Sequence, residues 1–164
     1  MSVIPEFQQS NSSYAATFDK GNLPMPPGRK VAVITCMDAR LDPAKFLGLE
    51  EGDAHVIRNA GGRADEDALR SLIISQQLLG TNEVVVIHHT DCGMLTFSNE
   101  ELQARLADRF GTRADDIDFL PFSDLAQSVR DDVATIRESP FVAEDVKVSG
   151  FIYDVRSGRI QAVD

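Results

Sequence analysis

Apolar residues in this chain follow two alternating patterns, which predict strands and helices in turn. Short continuous runs rich in Val and Ile, such as "VAVIT" and "VVVI", predict strands that are buried on both faces. Between these runs, apolar residues recur every three or four positions, as expected for one face of a helix. Strands are predicted over 30–36, 54–59, 82–89, 146–155 and 159–164, and helices after Asp42, after the "AGGR" turn, and over 98–110 and 123–139.

Local signals at the ends of these segments support the assignment. Asp42 precedes Pro43, which suits the first position of a short helix, and Ser98 and Glu101 have the spacing of a capping box. Gly80 stands where the helix before the third strand should end. Strands that alternate with helices predict an α/β fold. Its central sheet is mostly parallel, with helices on both faces and a last strand that runs antiparallel at the edge.

The N-terminal residues differ from the rest of the chain. Apolar residues such as Phe7 and Phe18 have loosely helical spacing, and the Pro- and Gly-rich stretch "GNLPMPPGRK" separates them from the first strand. We therefore interpret residues 1–164 as a single domain in which residues 1–23 form an arm outside the core. Because the linker keeps these apolar side chains from their own core, we expect the arm to pack on a partner chain.

Composition narrows the class of partners. The formal net charge is −10 over 164 residues, which disfavours nucleic acid and anionic membranes as partners, since both are bound by basic surfaces. No apolar run approaches the ~18 residues of a membrane span, and the first residues lack the basic and apolar regions of a signal peptide. Two cysteines in a chain of this size do not indicate a disulfide scaffold, so we expect a reduced, cytoplasmic protein.

Both cysteines stand where predicted strands end. Cys36 ends the first strand, and His89 and Cys92 come at the end of the third, in "HHTDCG". If these two strands are neighbours in a parallel sheet, the three side chains converge at its carboxyl edge. Two thiolates and one imidazole are typical ligands for Zn²⁺, and three protein ligands with one open position are typical of a catalytic zinc site. Two other interpretations remain open, since each cysteine could be an inert buried thiol and the pair could form a disulfide.

Charged and Gly-rich segments adjoin these residues. In "CMDAR", Asp38 and Arg40 follow the first proposed ligand, and an Arg fork can hold a carboxylate in one orientation and keep it ionised. Such a carboxylate could orient a metal-bound hydroxide or fill the fourth metal position itself. Gly61 and Gly62 in "RNAGG" could offer backbone N–H groups to a small anionic substrate. The alternatives are a turn-forming Asp with a surface Arg, and a strand-to-helix turn that requires glycine.

The order of these motifs resembles that of the β-class carbonic anhydrases. "CMDAR", "VIRNAGG" and "HTDCG" follow one another as in that family, and the C-x-D-x-R and H-x-x-C-G motifs are much more specific together than either is alone. The likeness runs from about Pro24 to Gly93 and resembles a compact prokaryotic branch of the family. It implies a sheet of strand order 2-1-3-4 with an antiparallel fifth strand. It also implies an obligate homodimer, often paired into tetramers, whose N-terminal arms cross onto the partner.

The resemblance also implies a reaction and a role for each site residue. It implies one Zn²⁺ per chain bound by Cys36, His89 and Cys92, a catalytic Asp38–Arg40 dyad, and reversible hydration of CO₂ to bicarbonate and a proton by metal-bound hydroxide. In a closed state, Asp38 would bind the metal in place of water. Two alternatives remain. A related branch hydrolyses carbon disulfide or carbonyl sulfide with the same ligands, and a non-catalytic zinc-binding or redox-sensing domain could keep Asp38 on the metal permanently.

Two positions beside the proposed site depart from the common pattern of that family. Ala39 stands where many members carry Ser, and His88 stands where many carry Gly before the ligand His. His88 could carry protons from the site or be a polar residue at a strand end. His55 begins the second predicted strand, at the opposite end of the sheet from the proposed site, and is assigned no role.

Overall fold

A five-stranded sheet forms the centre of the structure, a computed structural model that describes residues 2–164. Its strands are β1 (Val31–Cys36), β2 (Ala54–Asn59), β3 (Glu83–His89), β4 (Lys147–Tyr153) and β5 (Ile160–Val163). The described residues also form the helices α1 (Ile4–Ala15), α2 (Pro43–Leu47), α3 (Glu66–Leu79), α4 (Asn99–Phe110) and α5 (Leu125–Glu138), and the 3₁₀ turns Ala60–Gly62 and Gly93–Leu95.

The strand order confirms the predicted sheet. The order is β2-β1-β3-β4-β5, in which the first four strands are parallel and β5 runs antiparallel to β4 at the edge. β1 lies between β2 and β3, and its register with β3 places Thr35 opposite Ile87. Because these three strands run in the same direction, the segments that follow them lie next to one another at the carboxyl edge of the sheet.

The main hydrophobic core lies between the sheet and helices α3 and α5. Side chains of β1, β3 and β4 that point to one face meet the apolar faces of these two helices. The buried residues of this core include Ala32, Ile34, Ala68, Leu72, Val84, Val86, Ile136 and Val148. On the opposite face lies α2, where the rings of Phe46 and Tyr153 are 4.5 Å apart. Helices therefore cover both faces, as predicted.

Helix ends follow the local signals in the sequence. The Asp42 side chain accepts a hydrogen bond from the first turn of α2, and Ser98 and Glu101 form the predicted capping box of α4. Gly80 ends α3 in the left-handed conformation, which glycine adopts without steric cost. Within residues 2–164, no helix combines the length and the hydropathy that a bilayer span requires.

Helix α1 lies outside this core. It contains no buried residue, and Phe7 keeps 60% of its surface exposed. Polar contacts connect this N-terminal segment to the rest of the chain: Tyr14 of α1 donates to Glu51, and Lys20, which follows α1, pairs with Glu50 and Glu51.

The contact between β4 and α5 depends on a glycine. A Cβ on Gly150 would lie 2.5 Å from Cγ1 of Val129 and 3.2 Å from Cγ2 of Val133. We expect Gly150→Ala to lower the free energy of unfolding by about 1–3 kcal/mol, since overpacking forces neighbouring groups apart. Urea denaturation measures this change. Gly21→Ala is the control, because its Cβ would meet nothing closer than 3.9 Å. Equal stability of the two variants would contradict a tight contact between α5 and the sheet.

Candidate metal centre

Three side chains with metal-binding atoms meet at the carboxyl edge of the sheet. Cys36 is the last residue of β1, His89 is the last residue of β3, and Cys92 immediately precedes the 3₁₀ turn Gly93–Leu95. The two sulfur atoms and a ring nitrogen of His89 lie within 4.8 Å of one another, and all three residues are buried. The structure thus brings together the three residues that the sequence predicts as metal ligands.

The hydrogen bonds of His89 leave one ring nitrogen free. Nδ1 lies 2.9 Å from the carbonyl oxygen of Thr90 and donates its hydrogen there. The lone pair of the neutral ring therefore lies on Nε2. This nitrogen is buried and has no hydrogen-bond partner among residues 2–164. A buried polar atom without a partner is costly, and binding of a metal ion would satisfy it. A backbone carbonyl on the far nitrogen is a usual way of orienting a metal-binding histidine.

The two cysteines are free thiols whose sulfur atoms lie within 4.8 Å of each other. The adjacent Cys92 thiol lowers the pKa of the Cys36 thiol, and the His89 ring and the backbone N–H groups of Asp38 and Gly61 lower it further. The same contact between the thiols, together with burial, raises the pKa of Cys92. Cys36 is therefore the sulfur that ionises first, and metal binding must displace the remaining proton. One imidazole and two thiols form a donor set that fits Zn²⁺.

Asp38 and Arg40 form the predicted pair beside these residues. Arg40 donates from Nε and Nη2 to the two carboxylate oxygens of Asp38, at 3.0 and 2.8 Å, and from its backbone N–H at 2.9 Å. These hydrogen bonds hold the pKa of the Asp38 carboxyl well below its usual range. Its Oδ2 lies 3.7 Å from Nε2 of His89. An ionised carboxylate of fixed orientation therefore adjoins the free nitrogen of the histidine.

Two residues that were not predicted from the sequence hold this pair in place. Asp91 accepts hydrogen bonds from Arg40 through its carboxylate, at 2.7 Å, and through its backbone carbonyl, at 2.9 Å. Arg58 donates to the backbone carbonyls of Cys36 and Asp38, at 3.0 and 2.7 Å. Asp91 lies inside the motif "HTDCG", and Arg58 lies inside "VIRNAGG". The sequence offered one signal for a second acidic partner, because the guanidinium of Arg40 carries more donors than a single carboxylate can accept.

The predicted glycines lie in a turn that packs on Cys36. Gly61 and Gly62 are buried and have φ angles of 85° and 72°, a region that favours glycine. A Cβ on Gly62 would lie 2.8 Å from the backbone nitrogen of Cys36, so a larger residue would push the turn away from β1. The backbone of Gly61 also helps to lower the pKa of the Cys36 thiol. The turn thus supports this cysteine, while contact of the two glycines with a substrate stays a prediction.

The remaining two histidines lie outside this group. His88 is fully buried and lies on the opposite face of β3, where its Nδ1 is 2.8 Å from the hydroxyl of Ser128. This burial argues against direct proton exchange between His88 and solvent. His55 lies near the start of β2, at the other end of the sheet, and its Nδ1 is 2.6 Å from the hydroxyl of Ser75.

Comparisons with known proteins agree with this geometry. A family model described as carbonic anhydrase matches residues 31–160. Beta-carbonic anhydrase 1 of Mycobacterium tuberculosis is 44% identical to this chain over 165 residues, which cover 99% of each protein. A carbon disulfide hydrolase of Acidianus sp. is 34% identical over 160 residues, which cover 84% of this chain and 78% of that protein.

The fold is also similar to solved structures. The crystal structure of carbonic anhydrase from Streptococcus mutans superposes on this chain with a TM-score of 0.96. The two sequences are 49% identical, and the superposition covers 100% of this chain and 99% of that chain. The likeness therefore includes the N-terminal arm as well as the sheet and its carboxyl edge.

The arrangement of Cys36, His89 and Cys92 predicts that removal of one thiol abolishes tight metal binding. We expect Cys92→Ser to lose most of the bound divalent metal while remaining folded, because a hydroxyl is a much weaker ligand for a soft metal than a thiolate. Elemental analysis of the purified proteins measures the metal content, and circular dichroism measures folding. His55→Gln, which removes a histidine outside the group, should keep full occupancy. Full occupancy of Cys92→Ser would contradict the ligand assignment.

Proposed function

Because this chain belongs to the β-carbonic anhydrase family, we propose that it hydrates CO₂ reversibly to bicarbonate and a proton, with one Zn²⁺ held by Cys36, His89 and Cys92. The observation that carries this proposal is the convergence of two free thiols and a partnerless imidazole nitrogen, in a chain similar to carbonic anhydrases over its whole length. A bound zinc ion lowers the pKa of a coordinated water and so supplies a nucleophile near neutral pH.

Asp38 is the side chain placed to orient that nucleophile. Arg40 holds both carboxylate oxygens, so the group has one orientation and remains ionised. Oδ2 faces Nε2 of His89 and can accept a hydrogen bond from the attacking water, which would direct the remaining lone pair of that water towards CO₂. Because its pKa is so low, Asp38 stays an acceptor at neutral pH rather than becoming a donor.

Arg40 has a second role in the proposed mechanism, which is to keep Asp38 away from the metal. Without this arginine, the carboxylate would be free to bind the metal as a fourth ligand and close the site. Asp91 accepts two hydrogen bonds from Arg40 and thereby fixes the arginine itself. The two-point pairing of Asp38 with Arg40 supports an open catalytic centre over a non-catalytic domain in which Asp38 binds the metal permanently.

Hydrolysis of carbon disulfide is the second candidate reaction. The observation in its favour is the 34% identity to the Acidianus hydrolase. The identity to beta-carbonic anhydrase 1 is higher, at 44%, and covers 99% of this chain rather than 84%. We therefore prefer CO₂ as the substrate.

Centres with two reduced thiolates are stable in a reducing compartment, which supports a cytoplasmic location.

We also propose that the chain is a homodimer in which the arm of one chain packs on the other. Helix α1 exposes Ile4 and Phe7 by more than half, together with Tyr14, and none of its residues is buried within its own chain. Burial of apolar surface contributes roughly 25 cal/mol per Å², so a second chain that covers this helix would gain stability. Further pairing into tetramers is a finer expectation that these contacts do not address.

The proposed mechanism predicts that both members of the dyad are required for activity. We expect the wild-type protein to hydrate CO₂ rapidly, and Asp38→Asn and Arg40→Ala to keep zinc but to lose about 100-fold or more in rate, the usual contribution of a positioned proton acceptor. Stopped-flow assays with a pH indicator measure the rate, and elemental analysis of the same samples measures zinc.

Asp67 and Arg70 offer matched controls for this test. They form an exposed pair on α3 with hydrogen bonds of 2.9 and 2.7 Å, so Asp67→Asn and Arg70→Ala should cost about 0–1 kcal/mol in stability and no activity. Wild-type rates in Asp38→Asn or Arg40→Ala would show that the dyad is a scaffold. A zinc-loaded wild type that releases sulfide from carbon disulfide but does not hydrate CO₂ would favour the second candidate.

The dimer proposal predicts a specific role for Phe7. Deletion of residues 1–20 should weaken the dimer, and Phe7→Ala should do so in part, because both remove apolar surface from α1. Gln8→Ala alters the next exposed residue of the same helix and should have no effect. Sedimentation velocity at low micromolar concentration measures the assembly. Unchanged sedimentation of the deletion variant would rule out this role for the arm.

A further inference from the structure

A buried ionic cluster lies on the opposite face of β3 from the proposed metal centre. The carboxylate of Asp132, on α5, is 2.9 Å from Nε of Arg63 and 3.0 Å from Nε2 of His88. Asp132 is 3% exposed and His88 is fully buried, with Ser128 next to its other ring nitrogen. We refer to Arg63, His88, Ser128 and Asp132 as the Asp132 cluster. Buried charges are costly to desolvate and persist only where their partners are fixed.

The Asp132 cluster is attached to the turn of residues 59–63 at two points. One point is the side chain of Arg63 itself. The other is the backbone carbonyl of Gly62, which lies 3.2 Å from Nε2 of His88. Since this nitrogen faces a carbonyl and a carboxylate, which are both acceptors, it must carry a hydrogen. The side chain of Asn59 closes the turn through hydrogen bonds of 2.7 Å to the N–H and the C=O of Arg63.

The same turn is in direct contact with Cys36. Gly62 approaches the backbone of Thr35 and Cys36 so closely that a Cβ would lie 2.8 Å from either residue. A displacement of Gly62 would therefore shift the end of β1, the strand that carries the Cys36 sulfur. A continuous set of contacts thus runs from α5 through Asp132 to His88 and Arg63, and from there through Gly62 to Cys36.

We propose that Asp132 is a positioning residue for the metal centre, which holds the 59–63 turn against Cys36 through Arg63 and His88. This role rests on the proposed function, because it requires Cys36 to be a metal ligand. It also explains why this chain has a histidine, rather than a glycine, at position 88. A glycine at this position would leave the carbonyl of Gly62 without its donor and would remove the imidazole that lies against the Asp132 carboxylate. Groups that orient metal ligands from outside strongly affect metal affinity.

Binding of Co²⁺ to the metal-free protein tests this role without an activity assay. Cobalt bound by thiolate gives a sulfur-to-metal charge-transfer absorption that reports on the cysteine ligands. We expect Asp132→Asn to shift this absorption and to weaken Co²⁺ binding by about 10-fold. This is the lower end of the effect of removing a direct partner of a ligand, because Asp132 acts on Cys36 through the turn. Competition with a chelator measures the affinity, and circular dichroism confirms folding.

Two control variants separate positioning from a general loss of stability. Asp131→Asn makes the same chemical change at the neighbouring exposed residue of α5 and should leave both readouts unchanged. Ile136→Val removes a methyl group from the core face of the same helix, so it should lower the unfolding midpoint but leave the cobalt spectrum and affinity as in the wild type. Arg63→Lys keeps the charge but removes the contact of the guanidinium with Asp132, and should show the same defect as Asp132→Asn.

The outcomes distinguish this inference from the proposed function. Wild-type spectrum and affinity in folded Asp132→Asn would overturn the positioning role while the metal centre stands. If Asp132→Asn does not fold, Arg63→Lys decides in the same way. A change of equal size in Ile136→Val would assign the effect to stability and overturn the role. Absence of thiolate–cobalt absorption in the wild type would overturn the metal centre and, with it, the role of Asp132.

Discussion

The parallel pairing of β1 with β3 is the interaction on which the rest of this structure depends. Backbone hydrogen bonds fix the register of the two strands, and the register sets the positions of their last residues. Cys36 and His89 meet only because the two strands end at nearly the same level. The Val- and Ile-rich sequences of these strands therefore help to position the proposed metal ligands, since burial on both faces keeps the two strands inside the sheet.

The two histidines of "HHTDCG" point to opposite faces of the sheet and therefore have different roles. Successive residues of a strand point to opposite faces. His89 thus joins the two cysteines, while His88 turns towards α5 and Asp132. Two adjacent and chemically identical side chains have different surroundings, one with a free ring nitrogen and one with partners on both nitrogens. A shift of β3 by one residue would exchange them and destroy both arrangements.

Features that depend on local sequence were predictable, and features that depend on distant contacts were not. The strands, the capping box of α4 and the meeting of Cys36, His89 and Cys92 follow from residue pattern and from the general rule that strand ends in a parallel sheet adjoin one another. Asp91 and Arg58 were missed because their partners become neighbours only in the folded chain. Asp132 did leave a signal: it falls at helical spacing from buried Val129 and Ile136, and an acidic residue on an apolar helix face needs a buried partner. The sequence does not name that partner, because Arg63 lies on a different element.

The position of Asp132 in α5 has a consequence for the biosynthesis of the protein. All three proposed metal ligands and the glycine turn leave the ribosome before α5 does, because they lie in the first two-thirds of the sequence. The emerging chain therefore exposes two thiols and an imidazole at a time when the helix that fixes their surroundings has not yet been made. Strand β4, which flanks β3 and completes its burial, is later still. The amino-terminal segment supplies the donor atoms, and the carboxy-terminal segment determines when they become a rigid site.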